Sequence, residues 1–268
     1  YTTRIGITEF IMEWQEILGS FVLIPKSPIA VIHFIGGAFI GSAPNFTYRW
    51  LLEALAKKGY VVIATPFIIT LDHLAISHDL LNRFESILES VNSDIYRGII
   101  NLPVYGLGHS MGCKLHLLIG SLSPIERAGN IFISFNNYPI RQAIPFFEQL
   151  NFHNVFDLEF TPSPNKTQDI IQKSYIIRHN LLIKLTQDNI DETISLMKIL
   201  HRKYPNLVAL QTLPGNHLTP LGQEVNFKTG NIFTPMDIMK QWFQNKLSND
   251  LYNLKNEILR WLNPGQII

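Results

Sequence analysis

The sequence predicts an α/β fold with a mostly parallel, twisted sheet that carries helices on both faces. Short, continuous apolar runs alternate with amphipathic segments along most of the chain, and successive apolar runs are separated by a dozen residues or more. Parallel strands need crossovers of that length, and strands buried on both faces read as unbroken apolar runs. The alternation therefore favours helices on each side of one sheet.

Residues 1–137 are predicted to form the first part of the core. Between Glu9 and Pro28 the pattern indicates two antiparallel strands joined at Gly19 and Ser20. Four buried strands follow, at Ala30–Phe34, Tyr60–Ala64, Leu102–Leu107 and Ile131–Phe135. Helices are expected at Phe46–Lys58, at His73–Val91 and from the residue after Ser110 to about Ser121.

The alternation stops in residues 138–179, which are rich in phenylalanine and proline. We interpret this stretch as an inserted cap over the strand ends, with a helix at Thr167–Arg178, in which Phe146 and Phe147 line an apolar substrate pocket. The alternative is an extra packing layer without substrate contact.

Residues 180–268 are predicted to complete the core. Strands are expected at Leu181–Leu185 and Leu207–Leu213, with a helix at Glu192–Lys203 between them. Two helices follow, the first capped by Thr234 with Pro235 at its first position and the second capped by Ser248. One domain with a cap is the simplest organisation.

The composition excludes several classes of protein. Of 268 residues, 46% are hydrophobic and 16% are charged, and the net charge of +1 gives no basic surface for nucleic acid. The most apolar stretch, Pro28 to Pro44, is too short and too rich in glycine to span a membrane, and no signal-peptide pattern opens the chain. The single cysteine, Cys113, allows no internal disulfide. The chain begins at Tyr1, so a leader or anchor could have been removed.

The motif G-x-S-x-G, formed by Gly108, Ser110 and Gly112, lies where a predicted strand turns into a predicted helix. A serine on such a strained turn exposes its Oγ, and its glycine neighbours allow close backbone crossing. A glycine-rich turn without catalytic function is the alternative interpretation. The adjacent Cys113 is expected to be a buried helix residue.

A serine hydroxyl needs a base and an acid behind that base. His217 follows the last predicted strand, at the same sheet edge as Ser110, and is the candidate base among nine histidines. Asp188 follows another strand end and is the preferred acid, with Asp191 as its competitor.

The oxyanion of an acyl-transfer intermediate needs two N–H donors. We expect the first from Met111 and the second from Gly37 or Ala38, although the glycines here could serve only a tight turn. Phe39 and His109 flank these groups and are expected to contact the substrate.

These residues, in the chain order Ser…Asp…His and with Gly-Gly-Ala-Phe after an early strand, resemble the α/β-hydrolase superfamily. The resemblance implies an α/β-hydrolase fold over nearly the whole chain. Two departures are Ile35-Gly36 where many members carry His-Gly, and Thr186-Gln187 where many carry a glycine before the acid. More narrowly, the runs VIHFIGGAFIG, APNFTYRWLLE and VIATPF resemble a domain of unknown function from cyanobacteria and plastids, which implies a phototroph's cytoplasm or stroma.

The sequence thus predicts a serine hydrolase that cleaves an apolar, lipid-like, prenyl or phytyl carboxylic ester and uses no cofactor or metal. Peripheral membrane contact and the oligomeric state stay open. An acyltransferase or thioesterase on the same fold, and a hydrolase-like binding protein without turnover, are the alternatives.

Overall fold

The computed structural model describes residues 12–38, 40–139, 159–221, 247–263 and 265, and every structural statement below concerns these residues. In chain order the strands are β1 (Gln15–Ile17), β2 (Ser20–Leu23), β3 (Ala30–Ile35), β4 (Tyr60–Ala64), β5 (Val104–His109), β6 (Gly129–Ile133), β7 (Asn180–Leu185) and β8 (Val208–Leu213). The helices are α1 (Pro44–Thr47), α2 (Arg49–Ala56), α3 (His73–Asp94), α4 (Met111–Leu122), α5 (Pro164–Ser174), α6 (Thr193–Lys203) and α7 (Leu247–Leu262). Single 3₁₀ turns lie at Ile40–Ser42 and Ile99–Asn101.

The described strands form one sheet in the order β1-β2-β4-β3-β5-β6-β7-β8. The pairs β1–β2 and β2–β4 are antiparallel, and all the other neighbouring pairs are parallel. Leu18 and Gly19 turn the first hairpin with positive φ angles, as a tight two-residue connection requires. The mostly parallel sheet that the sequence predicts is therefore confirmed.

Each face of the sheet is covered by its own set of helices. On one face, apolar residues of α2 and α7 pack against inward side chains of the central strands. On the other face, α3 packs over β3 and β4, and α4, α5 and α6 cover β6 and β7. Because both faces are buried, β3 and β4 consist entirely of buried residues.

Several predicted boundaries move by two or three residues, for local reasons. The strand expected from Leu102 begins at Val104, because the Leu102 N–H closes a 3₁₀ turn onto the carbonyl of Ile99 and Pro103 has no N–H to donate. The strand expected to reach Phe135 ends at Ile133, since Ser134 has a φ of +51°.

The helical elements also differ in detail. The single helix expected at Phe46–Lys58 is divided into α1 and α2 at Tyr48, which has non-helical backbone angles. Helix α5 begins three residues before its expected start, because the Ser163 side chain accepts from the Lys166 N–H and Pro164 follows it.

The described part of the predicted cap joins the helical layer. In α5 and the segment after it, Ile171 and Tyr175 pack against Cys113 and Leu117 of α4. Residues 140–158, with Phe146 and Phe147, lie outside the described residues, as does the helix expected to begin at Thr234. The division into core and cap stays a prediction.

None of the described helices combines the length and the apolar character that crossing a membrane would take.

Candidate active site

Ser110 lies on a strained turn between β5 and α4, with a φ of +54°. A Cβ on Gly108 would come within 2.7 Å of the Cys113 nitrogen, and one on Gly112 would collide with the carbonyl oxygen of Ile35. Both obstacles are backbone atoms that cannot move aside, so only glycine fits at either position. The glycines of the motif therefore allow β5, β3 and α4 to approach closely enough to hold Ser110 in its strained conformation.

The structure brings Ser110, His217 and Asp188 into one hydrogen-bonded line. The Ser110 Oγ lies 3.0 Å from His217 Nε2, and His217 Nδ1 lies 2.7 Å from Asp188 Oδ2. The three residues follow the carboxyl ends of β5, β8 and β7. The Asp188 side chain is fully buried, whereas that of His217 is 17% exposed. The line therefore runs from the interior outward to a partly exposed hydroxyl.

Hydrogen bonds keep Asp188 ionised in this buried position. Burial alone would raise the pKa of the carboxyl, but the bonds from His217 and from the Ile190 N–H outweigh it and hold that pKa below its ordinary value. An ionised carboxylate accepts only, so His217 Nδ1 carries a proton toward Asp188. His217 Nε2 is then free to accept from Ser110.

The competing acid, Asp191, has different partners. One of its oxygens accepts from the Thr193 N–H at 2.6 Å, and the other pairs with Lys184 at 3.0 Å. Both oxygens of its buried carboxylate are thus already bonded to partners beside the start of α6. In this arrangement Asp188, not Asp191, contacts the imidazole.

The predicted oxyanion loop follows β3 and lies against the serine turn. A Cβ on Gly37 would come within 3.3 Å of the Ser110 Cβ, so this backbone is already close to Ser110. The Gly37 N–H, however, donates to the Tyr48 hydroxyl at 2.9 Å and is not free for a substrate oxygen. Met111 is the first residue of α4, where N–H groups have no acceptor within the helix.

His109 lies beneath the serine turn and not in an open pocket. Its side chain is completely buried, its Nδ1 is 2.7 Å from the Tyr48 hydroxyl, and its Nε2 is 2.9 Å from the carbonyl oxygen of His217. With both nitrogens occupied, the ring has no group left for the substrate contact that we expected. Phe39, the other expected contact in this region, lies outside the described residues.

Two further reactive side chains of α4 are buried. The Cys113 thiol is inaccessible and burial raises its pKa, which argues against a thiolate nucleophile. Lys114 is 2% exposed, its Nζ donates to the carbonyl of Pro162 at 3.1 Å, and burial lowers its pKa to about 7. Within the described parts of the chain, no group of three His, Cys, Asp or Glu side chains is arranged to hold a metal ion.

A family described as "Protein of unknown function (DUF1350)" has a model that matches residues 13–264. The chain belongs to this family. No curated protein matches its sequence.

The DUF1350 chain is similar in fold to several solved structures. An esterase from Pyrococcus furiosus matches with a TM-score of 0.58 at 14% identity, over 94% of this chain and 90% of that one. A dienelactone hydrolase from Anabaena variabilis gives 0.53 at 12% identity, covering 94% and 95%, and a carboxyl esterase from Tuber melanosporum gives 0.53 at 16%, covering 80% of each. These similarities show that the DUF1350 chain has the α/β-hydrolase fold.

Sequence reasoning about this DUF1350 chain missed Tyr48. The residue precedes α2 and is fully buried. A Cβ at position 36 would come within 2.8 Å of the Tyr48 ring, which explains why that position is a glycine. Tyr48 is 11 residues from Gly37 and 61 from His109, so no local pattern in the sequence connects the three.

Proposed function

We propose that this protein is a serine hydrolase that cleaves a carboxylic ester through an acyl-enzyme. The observation that carries the proposal is the hydrogen-bonded line from Ser110 through His217 to Asp188. In such a line the histidine accepts the serine proton, and the carboxylate holds the correct tautomer and stabilises the imidazolium.

The reaction proceeds in two halves. The Ser110 Oγ attacks the ester carbonyl carbon while its proton passes to His217 Nε2, and collapse of the intermediate returns that proton to the leaving alcohol. Water then gives a proton to the same nitrogen and attacks the acyl-enzyme. Release of the carboxylic acid restores the Ser110 hydroxyl.

The oxyanion is assigned to the backbone N–H groups of Met111 and Ala38. Met111 begins α4, so its N–H and the positive end of the helix dipole both face charge that forms beside Ser110. Ala38 replaces Gly37 as the second donor, because the Gly37 N–H already donates to Tyr48.

An apolar substrate fits the surface at this edge of the sheet. Ile68 follows the carboxyl end of β4 and is 86% exposed, and Phe67 and Ile69 beside it join an apolar cluster that includes Met111 and Ala38. One exposed isoleucine above a mostly buried apolar cluster that includes Met111, the residue after Ser110, supports an ester with an apolar acyl or alcohol part. The phototroph origin, the compartment and peripheral membrane contact stay predictions.

The test is labelling of the folded protein with a fluorophosphonate, together with hydrolysis of a chain-length series of nitrophenyl esters. Ser110→Ala is expected to abolish labelling and to lower kcat by about 10⁴-fold or more, since it removes the nucleophile. Ser121→Ala is the matched control, because its hydroxyl donates to the Leu117 carbonyl further along α4. It should label and turn over like the wild type.

Two results would contradict the proposal. Folded wild type that neither labels nor hydrolyses any ester of the series would favour a binding protein without turnover. Labelling that persists in Ser110→Ala would place the nucleophile elsewhere. Analysis of the products with an added alcohol or thiol separates hydrolysis from acyl transfer.

A further inference from the structure

A chain of three hydrogen bonds runs beneath the nucleophile and connects the two loops on either side of it. The Gly37 N–H donates to the Tyr48 hydroxyl at 2.9 Å, and that hydroxyl lies 2.7 Å from His109 Nδ1. His109 Nε2 lies 2.9 Å from the carbonyl oxygen of His217. These bonds therefore connect the loop after β3, which contains the proposed oxyanion donor, to the loop after β8, which carries the proposed base His217.

The direction of each proton in this chain follows from its two ends. The Gly37 N–H can only donate and the His217 carbonyl can only accept, so the Tyr48 oxygen receives one bond and His109 Nε2 carries a hydrogen. If Nδ1 also carried a hydrogen, His109 would be an imidazolium. Burial opposes that form, lowering the pKa of His109 to about 3. Nδ1 is thus an unprotonated acceptor, and the Tyr48 O–H donates to it.

The bond from His109 is made to the backbone of His217 itself. His217 lies in the loop after β8, where the bonds between Asn216 and Thr219 stay within the loop and the Gly215 carbonyl accepts from the Gln187 N–H of the loop after β7 at 2.8 Å. These bonds connect the loop to itself and to another loop. His109, by contrast, is the last residue of β5, a central strand paired on both sides. Its ring also lies 4.9 Å from the His217 ring, measured between centroids.

We propose that His109 is a positioning residue whose Nε2–H holds the His217 carbonyl, and with it the His217 backbone, in place relative to Ser110. The bond from the Tyr48 O–H to Nδ1 keeps the ring hydrogen on Nε2. The proposal rests on the serine-hydrolase function proposed above. Displacement of a reacting group by about 1 Å can cost about 100-fold in rate, so a bond to the backbone of the base matters to turnover even though His109 touches no substrate.

Two substitutions separate the two bonds of the ring. In His109→Asn the amide lies near the position of Nδ1, where it can accept from Tyr48 but cannot reach the His217 carbonyl. In His109→Gln the amide nitrogen extends to the position of Nε2 and can still donate to that carbonyl. Both replacements are polar, neutral and smaller than histidine, so each serves as the control for the other.

The expected result is a split between these variants in kcat, measured per fluorophosphonate-reactive site. His109→Asn should lower kcat about 10- to 100-fold with KM changed less than about threefold, whereas His109→Gln should stay within about threefold of wild type. Equal kcat values for folded Asn and Gln variants, whether both are high or both are low, would overturn the proposal, because a purely structural role does not distinguish the two bonds.

The tautomer provides a measurement that does not depend on activity or on any variant. Nitrogen-15 NMR of wild-type protein should show His109 as the neutral Nε2–H tautomer at pH 6. A neutral Nδ1–H form, or an imidazolium at that pH, would refute the hydrogen-bond chain. If wild type neither labels nor turns over, the hydrolase function fails, whereas the NMR result still decides whether the chain exists.

Discussion

Asp188→Asn, compared with Asp191→Asn, tests which carboxylate supports the imidazole. One Asp188 oxygen accepts from the Ile190 N–H at 3.0 Å and the other lies 2.7 Å from His217 Nδ1. An asparagine amide must place its NH₂ at one of these two positions. Facing Ile190 it would oppose another donor, so it turns toward His217.

This orientation forces the wrong tautomer of the base. His217 Nδ1 would have to accept from the amide, and the ring hydrogen would move to Nε2, where it cannot receive the Ser110 proton. We expect kcat to fall by about 10⁴-fold, or about 5 kcal/mol of transition-state stabilisation. Ester hydrolysis by folded protein measures this loss.

Asp191→Asn should affect stability instead. It leaves Lys184 without its ion pair, and because the Lys184 side chain is 28% exposed the cost should be only about 1–2 kcal/mol in urea unfolding. Turnover should stay within about threefold of wild type. Loss of turnover in Asp191→Asn, with activity retained in Asp188→Asn, would refute the assignment of the acid.

Two predictions concern stability and pH. Burial lowers the pKa of His73 and His109 to about 3 and lowers those of His33 and His116 well below their ordinary value, so the unfolded chain binds more protons below pH 6.5. His73 and His109 alone lower the free energy of unfolding by about 4 kcal/mol between pH 7 and pH 5, so urea unfolding followed by circular dichroism should have a clearly lower midpoint at pH 5 than at pH 7; an unchanged midpoint would contradict this. Burial lowers the pKa of Lys114 to about 7. Burying the charged side chain therefore reduces the free energy of unfolding most at and below pH 7, and progressively less as the pH rises to 10.5. Lys114→Met should therefore be more stable than wild type at pH 6 in urea titrations, by a margin that shrinks toward pH 10, and a constant margin would disprove the burial argument.

Most of the sheet could be predicted because buried parallel strands need unbroken apolar runs. The strand Tyr60–Ala64 lies where the pattern places it, and β7 begins one residue before its expected start. The errors fall at the ends of elements, where one backbone hydrogen bond or one dihedral angle decides which residue begins or ends the strand. Pro103 and Ser134 are such positions, and apolar periodicity does not report on them.

The contacts among Ser110, Asp188 and His217 were predictable for a different reason. Nucleophile, base and acid must be particular residue types, and the carboxyl ends of parallel strands meet at one edge. Occupancy of the Gly37 N–H was not predictable, because its acceptor belongs to Tyr48 on a separate element. The hydrogen-bond partners of the His109 ring were equally unpredictable, since neighbours in sequence do not determine long-range hydrogen bonds.

The neutrality of His109 also bears on the proposed chemistry. Its ring centroid lies 4.9 Å from that of His217, which must become an imidazolium when it takes the Ser110 proton. A positive charge at His109 would oppose that step by about 3 kcal/mol at an effective dielectric constant of 20, or more than about 100-fold in rate. The burial that makes His109 costly to the fold at acid pH thus also keeps it from acquiring such a charge. We infer that position 109 tolerates a neutral hydrogen-bonding side chain far better than a cationic one.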